Sequence, residues 1–267
     1  MIPIYQKGLP RSFFELQKRF RYSWRKSAIA TTVLAHRVSK RCLRTTRAGY
    51  PKRKNHFSAL ENQFTEELKA KGHCEPRRFE EASIPFADFS GFTQAVSTIP
   101  PKRLVQELDE IFRGFDDIMV ANGLEKIKTI GDAYMAAGGL PVAADNHALR
   151  CVRAGLALTQ FIEKQNRTAT MKWGLRVGVH SGAVVAGIVG KNKYAYEVWG
   201  DTVNIASRLE SAGEVNKVNI SAYTFELVQM FFECEYRGKL AAKGKREIDM
   251  YFVLRERIPA EVKQPAE

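Results

Sequence analysis

The 267-residue chain lacks an apolar run of the roughly 18 residues that a membrane helix needs. Its best candidate, SAIATTVLA (27–35), is too short, is flanked by arginine and lysine, and is followed by no clear small-residue cleavage site. It also lacks cysteine pairs. Cys42, Cys74, Cys151 and Cys234 are far apart and no CxxC occurs, which argues against a zinc site or a disulfide framework. A reducing cytoplasm is the expected location. Internal repeats and low-complexity tracts are missing too. GIVGKNK (187–193) has a Gly-Lys pair, but not the glycine spacing or the Ser/Thr of a phosphate-binding loop, and reads as a hairpin tip.

Positive charge is scarce where the net value of +13 suggests plenty. Residues 1–80 carry 19 Lys+Arg against 6 Asp+Glu, whereas residues 81–267 carry 23 of each. The whole excess lies in the first third. This argues against a basic core built for nucleic acid and for a neutral domain with a basic extension.

The pattern divides the chain into a basic extension (1–56, partly helical or mobile), a linker helix (57–80), a neutral catalytic or binding domain (81–256) and a C-terminal tail (257–267). In the extension, SFFELQKRFRYSW spaces Phe13, Leu16, Phe20 and Trp24 as on a helix with basic residues between them. Such a helix could lie on an anionic membrane, giving a membrane-peripheral protein, or pack on its own protein. In the linker, Leu60, Phe64 and Leu68 share a stripe that stops at Gly72.

From residue 81 strands and helices alternate. ASIPFAD (82–88) reads as a strand, with Pro85 suggesting an edge or a bulge. Residues 101–123 predict a helix with Leu104, Leu108, Ile111, Phe112, Phe115 and Met119 on one face. LEKIKTI and AYMAAGG flank a Gly131-Asp132 hairpin. A second helix spans 143–166, strands follow at 175–190 and 195–200, a helix at 201–213, and NKVNIS and MYFVLRER close the chain as strands. Strand, helix, strand, strand, helix, strand is the order of an α+β, ferredoxin-like antiparallel sheet with flanking helices. There the third strand lies between the first and second, so Asp88, ending the first, meets Asp132, starting the third.

Taken singly, either aspartate is a helix cap or a turn residue. Together at one sheet edge they repel unless a cation bridges them, and oxygen ligands of this kind suit Mg²⁺ or Mn²⁺ with bound phosphate. FSGFT follows Asp88 as a glycine turn into a helix. Its backbone N–H groups at Gly91, Phe92 and Thr93 suit phosphate oxygens. His180 in GVHSG reads as a hydrogen-bonded strand residue, and Trp199 and Tyr194 as packing residues or supports of a dimer arm.

FADFSGFT, KIKTIGDAYMAAGGLP, YEVWGDTVNIASRLESAG and AAKGK together resemble the class III nucleotidyl cyclases, adenylyl and guanylyl, over about residues 75–255. The resemblance implies a cyclase homology domain acting on ATP or GTP, with two Mg²⁺ or Mn²⁺ ions per site. Asp88, Asp132 and the Phe89 carbonyl match the metal ligands. Lys128 matches the purine reader, Asn204 the ribose-orienting asparagine and Arg208 the transition-state arginine. Lys243 matches the phosphate-binding lysine, with Lys245 as the fallback. In this family the aspartates come from one subunit and the purine reader, Asn204 and Arg208 from the other, which implies a homodimer with two shared sites. The stretch from ELKAKG onward also resembles bacterial members in which a regulatory segment precedes catalysis.

Chemistry agrees with these assignments. A lysine ammonium has donors only and so favours the adenine N1 acceptor. Asn204 and Arg208, four apart, share a helical face. Glu197 departs from the Asp or Thr usual in adenylyl cyclases; it still accepts from adenine N6, or pairs with Lys128. The expected activity is therefore an adenylyl cyclase making 3′,5′-cyclic AMP and pyrophosphate from ATP. The alternatives are a guanylyl cyclase, a catalytically silent nucleotide-binding signalling module, or a nucleic-acid binder using residues 1–56, for which the neutral domain gives no support.

Overall fold

The structure is a computed structural model, and it describes residues 66–190, 195–240 and 247–258. The expectations placed on the basic extension, on most of the linker stripe, on Tyr194, on Lys243 and Lys245, and on most of the C-terminal tail fall outside these residues. Among the described residues no helix is long and apolar enough to cross a membrane.

A helical segment at 66–71 leads through Gly72 into β1 (Arg77–Ser90). Then come α1 (Phe92–Thr98), α2 (Pro101–Ala121), β2 (Glu125–Ile130), β3 (Ala133–Ala137), α3 (His147–Thr168), β4 (Gly174–Val189) and β5 (Ala195–Trp199). The chain continues as α4 (Asp201–Ser211), β6 (Val218–Ser221), α5 (Ala222–Val228), β7 (Phe232–Leu240) and β8 (Ile248–Glu256). The sheet order is β2-β3-β1-β4-β6-β8-β7, with β5 paired to β4. β3 lies between β1 and β2 and is antiparallel to both, as the ferredoxin-like reading expects.

Alternation along the strands builds two cores. Ala87 and Phe89 of β1 face α2 and α3, packing with Phe115, Met119, Leu158 and Val177. Ala82, Ile84 and Phe86 face the other way, with Met135, Val184, Val198 and Ala206 of α4. The predicted stripe of α2 splits by depth: Ile111, Phe115 and Met119 are buried, while Leu104, Leu108 and Phe112 are partly so.

Pro85 is where the sequence reading and the fold part. β1 is a central strand, not an edge, with Pro85 opposite Val179 of β4. By alternation its missing N–H falls on the β3 side, together with that of Ser83. There pairing thins to Phe86–Met135, Ala87–Tyr134 and a bridge from Ser83 to Gly138. The full ladder to β4 holds the strand in place despite that lost bond. The sequence reading also missed α5 and β7, whose mixed burial leaves Tyr223 and Leu227 of the helix and Tyr236 of the strand exposed and so blurs both periods.

His180 behaves as expected. Its Nδ1 is 2.6 Å from Ser221 Oγ, in a buried hydroxyl chain that runs through Thr224 and Ser181 to Ser83 and His147. Burial pushes the imidazole down to about 4, so it is neutral at physiological pH.

Helix α4 reaches the sheet because β4 carries Gly178. A β-carbon there would lie 2.2 Å from the backbone nitrogen of Glu210 and 2.6 Å from the carbonyl oxygen of Ala206. Both are backbone atoms, so the helix itself would have to lift. Gly178→Ala is expected to destabilise the domain by about 1–3 kcal/mol, the usual cost of overpacking. Denaturant midpoints compared at equal m-value check this, and an unchanged midpoint would show that α4 is not seated there.

Candidate active site

Asp88 and Asp132 reach each other by two independent devices. Asp88 sits near the end of β1, on the face turned to α4, directly opposite Arg176 of β4. Asp132 occupies the second position of a two-residue turn closed by the Ile130–Ala133 pair. The first position is Gly131 at φ 66°, a conformation that glycine supplies without strain. With β3 registered against β1, the turn tip arrives beside the strand end. The two carboxyls lie within hydrogen-bonding reach, and Asp132 is pushed up to about 7, by burial first and by the Asp88 charge second. Asp132 thus keeps its proton more readily where two acids are crowded together.

Behind the pair is a cation that the sequence reading did not single out. Arg176 Nε donates to Glu210 Oε1 at 2.8 Å, and its Nη2 donates to Asp88 Oδ2 at 3.3 Å. Glu210 is on the packed side of α4, with a side chain 5% exposed, and its Oε2 accepts from Ser211 Oγ at 3.0 Å. Burial raises the Glu210 pKa even against the opposing pull of Arg176. The signal for both residues was present: a charge inside the buried strand LRVGV, and an acid four residues after the buried Ala206. Only register and helix docking bring them together.

The Phe89 side chain anchors the strand end in an aromatic cluster, 5.3 Å from Trp173 and 6.2 Å from Phe115 between ring centroids. Its backbone therefore holds a fixed place beside Asp88. Gly91, at φ 75°, turns the chain into α1 and caps it through its carbonyl, which accepts from Gln94 and Ala95. Phe92 packs its ring on Trp173, while Thr93 is exposed.

The remaining candidates form a second group. Lys128 of β2 makes an ion pair with Glu197 of β5, which lies opposite Gly187 of β4. This is the pairing that the longer Glu197 side chain made available. Asn204 and Arg208 share the outer side of α4, Asn204 exposed and Arg208 half-buried. Neither side chain forms a hydrogen bond or ion pair with another described residue.

A divalent cation suits the aspartate pair. Among the described residues no group of three or more His, Cys, Asp or Glu forms a ready-made metal cage. Two carboxylates completed by substrate phosphates is a donor set suited to Mg²⁺ or Mn²⁺, which keep open positions for such ligands.

Comparison with known proteins agrees with this geometry. Residues 74–255 match the family model of the adenylate and guanylate cyclase catalytic domain. The chain belongs to this family. It is 35% identical over 184 residues to an adenylate cyclase of Mycobacterium tuberculosis, covering 69% of this chain and 42% of that one. It is 36% identical over 205 residues to guanylyl cyclase C of Homo sapiens, covering 74% of this chain and 19% of that one. The chain thus spans less than half the length of these curated relatives. Among solved structures, the guanylate cyclase domain of RhGC from Catenaria anguillulae in complex with GTP superposes with a TM-score of 0.65 at 30% identity. That match covers 68% of this chain and 100% of the other. Relatives named for either purine are therefore present, and the family leaves the base open.

The raised Asp132 has a consequence for stability. Without metal, the folded cyclase domain holds a proton between about pH 4 and 7 that the unfolded chain releases, so stability falls as pH rises through that window. Asp132→Asn removes this loss. The melting temperature of the variant should exceed that of the wild type increasingly from pH 5 to pH 8. Mn²⁺ at pH 8 should raise the wild-type value and leave the variant's unchanged. Parallel pH profiles for the two proteins would contradict the raised Asp132.

Proposed function

We propose that this chain is an adenylyl cyclase that converts ATP to 3′,5′-cyclic AMP and pyrophosphate at two equivalent sites shared by a homodimer. The observation that carries this reading is the convergence of Asp88 and Asp132 at one end of the central strands, while Lys128 is paired with Glu197 and neither it nor Arg208 forms a hydrogen bond or ion pair with these aspartates among the described residues. In this reading a second copy supplies the half of the site that each chain leaves open.

In the proposed roles, Asp88, Asp132 and the Phe89 carbonyl hold two Mg²⁺ or Mn²⁺ ions. When bound, these supply activation of the ribose 3′-hydroxyl and neutralisation of the leaving pyrophosphate. The backbone at Gly91, Phe92 and Thr93 receives phosphate oxygens. From the other subunit, Asn204 orients the ribose. Arg208, always charged, meets the negative charge that grows on the α-phosphate as the new O–P bond forms and the bond to pyrophosphate breaks. Lys243 is assigned to the phosphates. Catalysis then rests on positioning and electrostatics, with no side-chain base.

Base choice falls to Lys128 and Glu197. The ammonium donates to adenine N1 and the carboxylate accepts from adenine N6, so the ion pair opens around the base edge. The same pair can offer a donor to guanine O6 and an acceptor to guanine N1–H, and this favours guanylyl cyclase as the second reading. Activity with ATP, greater than with GTP, is the expected result.

Two experiments test this. The purified protein is incubated with Mn²⁺ and either ATP or GTP, and the products are identified; cyclic GMP as the main product would replace the first reading by the second. Asp88→Ala and Arg208→Ala chains, each expected to lose at least 100-fold in activity, are then mixed. Partial recovery is expected, because one intact site forms per heterodimer, and two dead chains that never complement would overturn the shared site.

A further inference from the structure

Arg176 is held unequally by its two acids, and that inequality has a consequence for the metal pair. Charge-assisted N–H···O contacts are normally about 2.7–2.9 Å long. The contact from Arg176 to Glu210 is within that range at 2.8 Å, whereas the contact to Asp88 is stretched to 3.3 Å. Glu210 is fixed from three directions. Its backbone rests on Gly178, Ser211 Oγ lies 3.0 Å from its second oxygen and from the Ser207 carbonyl, between which its one hydrogen is divided, and the carbonyl of the preceding Leu209 accepts from Asn219 Nδ2 at 2.8 Å. Arg176 is the more adjustable partner, with a side chain 26% exposed.

We propose that Glu210 is a positioning residue that draws Arg176 away from Asp88 and so keeps the Asp88 carboxylate available to a divalent cation. This rests on the metal reading of Asp88 and Asp132 given above. Arg176 and Asp88 face each other across β4 and β1, and the shorter contact to Glu210 holds the guanidinium back from closing on Asp88 as a two-pronged fork. Such a fork would occupy the oxygens a cation needs and cancel the charge that attracts it. Because Glu210 lies two residues beyond Arg208 on α4, the same contact ties the helix assigned to one site to the metal pair of the other.

The test is direct Mn²⁺ binding to nucleotide-free full-length protein, read by electron paramagnetic resonance of the free ion. Melting temperature is recorded for every variant. Glu210→Gln keeps the shape and removes the charge, and its Mn²⁺ dissociation constant should rise at least fivefold. Adding Arg176→Met removes the competitor, so the double variant should bind within twofold of the wild type or more tightly. A merely structural glutamate predicts the opposite, a double variant at least as impaired as the single one. If Glu210→Gln does not fold, Ser211→Ala loosens the carboxylate from the exposed side and should weaken Mn²⁺ binding by a smaller factor, again rescued by Arg176→Met. Unchanged affinity in the charge-removing variant, or in Ser211→Ala where it stands in, overturns the proposal, as does failure of Arg176→Met to rescue. A wild type that binds no Mn²⁺ overturns the metal reading and this proposal together.

Discussion

Two carboxylates pressed against each other are the constraint around which this domain is arranged. Like charges at hydrogen-bonding distance, partly removed from water, cost free energy that a fold must supply from elsewhere. Here it comes from strands that are hard to move. β1 is paired along its length to β4, and its phenylalanine beside Asp88 is sunk in a cluster of aromatic rings. The hairpin tip that brings the second acid is a two-residue turn closed by its own ladder. The repulsion is therefore not relieved by motion; the stretched contact from Arg176 offsets part of it, and protonation or a bound cation can reduce the rest.

The rest of the site is arranged outward from that point. Arg176 and Glu210 extend the charge pattern from the sheet into α4, so the helix is joined to the sheet by packing at Gly178 and by an ion pair next to it. On the same helix Asn204 is exposed and Arg208 half-buried, one turn apart. Lys128 and Glu197 close on each other across β2 and β5. The two acids and the Lys128–Glu197 pair are thus held by different parts of one sheet, the acids by the end of β1 and the turn before β3, the ion pair by β2 and β5.

Much of this could be read from the residues before any coordinates. The 3.6-residue stripe of α2, and the range read for α3, placed those helices within a few residues, because their apolar faces are buried against one sheet. The Gly131-Asp132 hairpin was equally plain, since a glycine between two alternating runs has few other uses. Pro85 was misleading. A missing donor normally marks an edge, but a strand with a long partner on its other side tolerates the loss. α5 and β7 were missed because their partly exposed faces carry no clean period.

Sequence by itself determined which residue types were available: two acids at glycine turns, a donor-only side chain at Lys128, and an asparagine and arginine one helical turn apart. These are local matters of side-chain chemistry and short-range geometry. Tertiary structure decided which of them touch. That Asp88 lies against Asp132 and Arg176, that Glu210 reaches the same arginine from a helix, and that Lys128 is claimed by Glu197 all depend on strand register and on how closely α4 approaches the sheet. Contacts between residues far apart in the chain are set by packing of the whole sheet, and no local pattern records them.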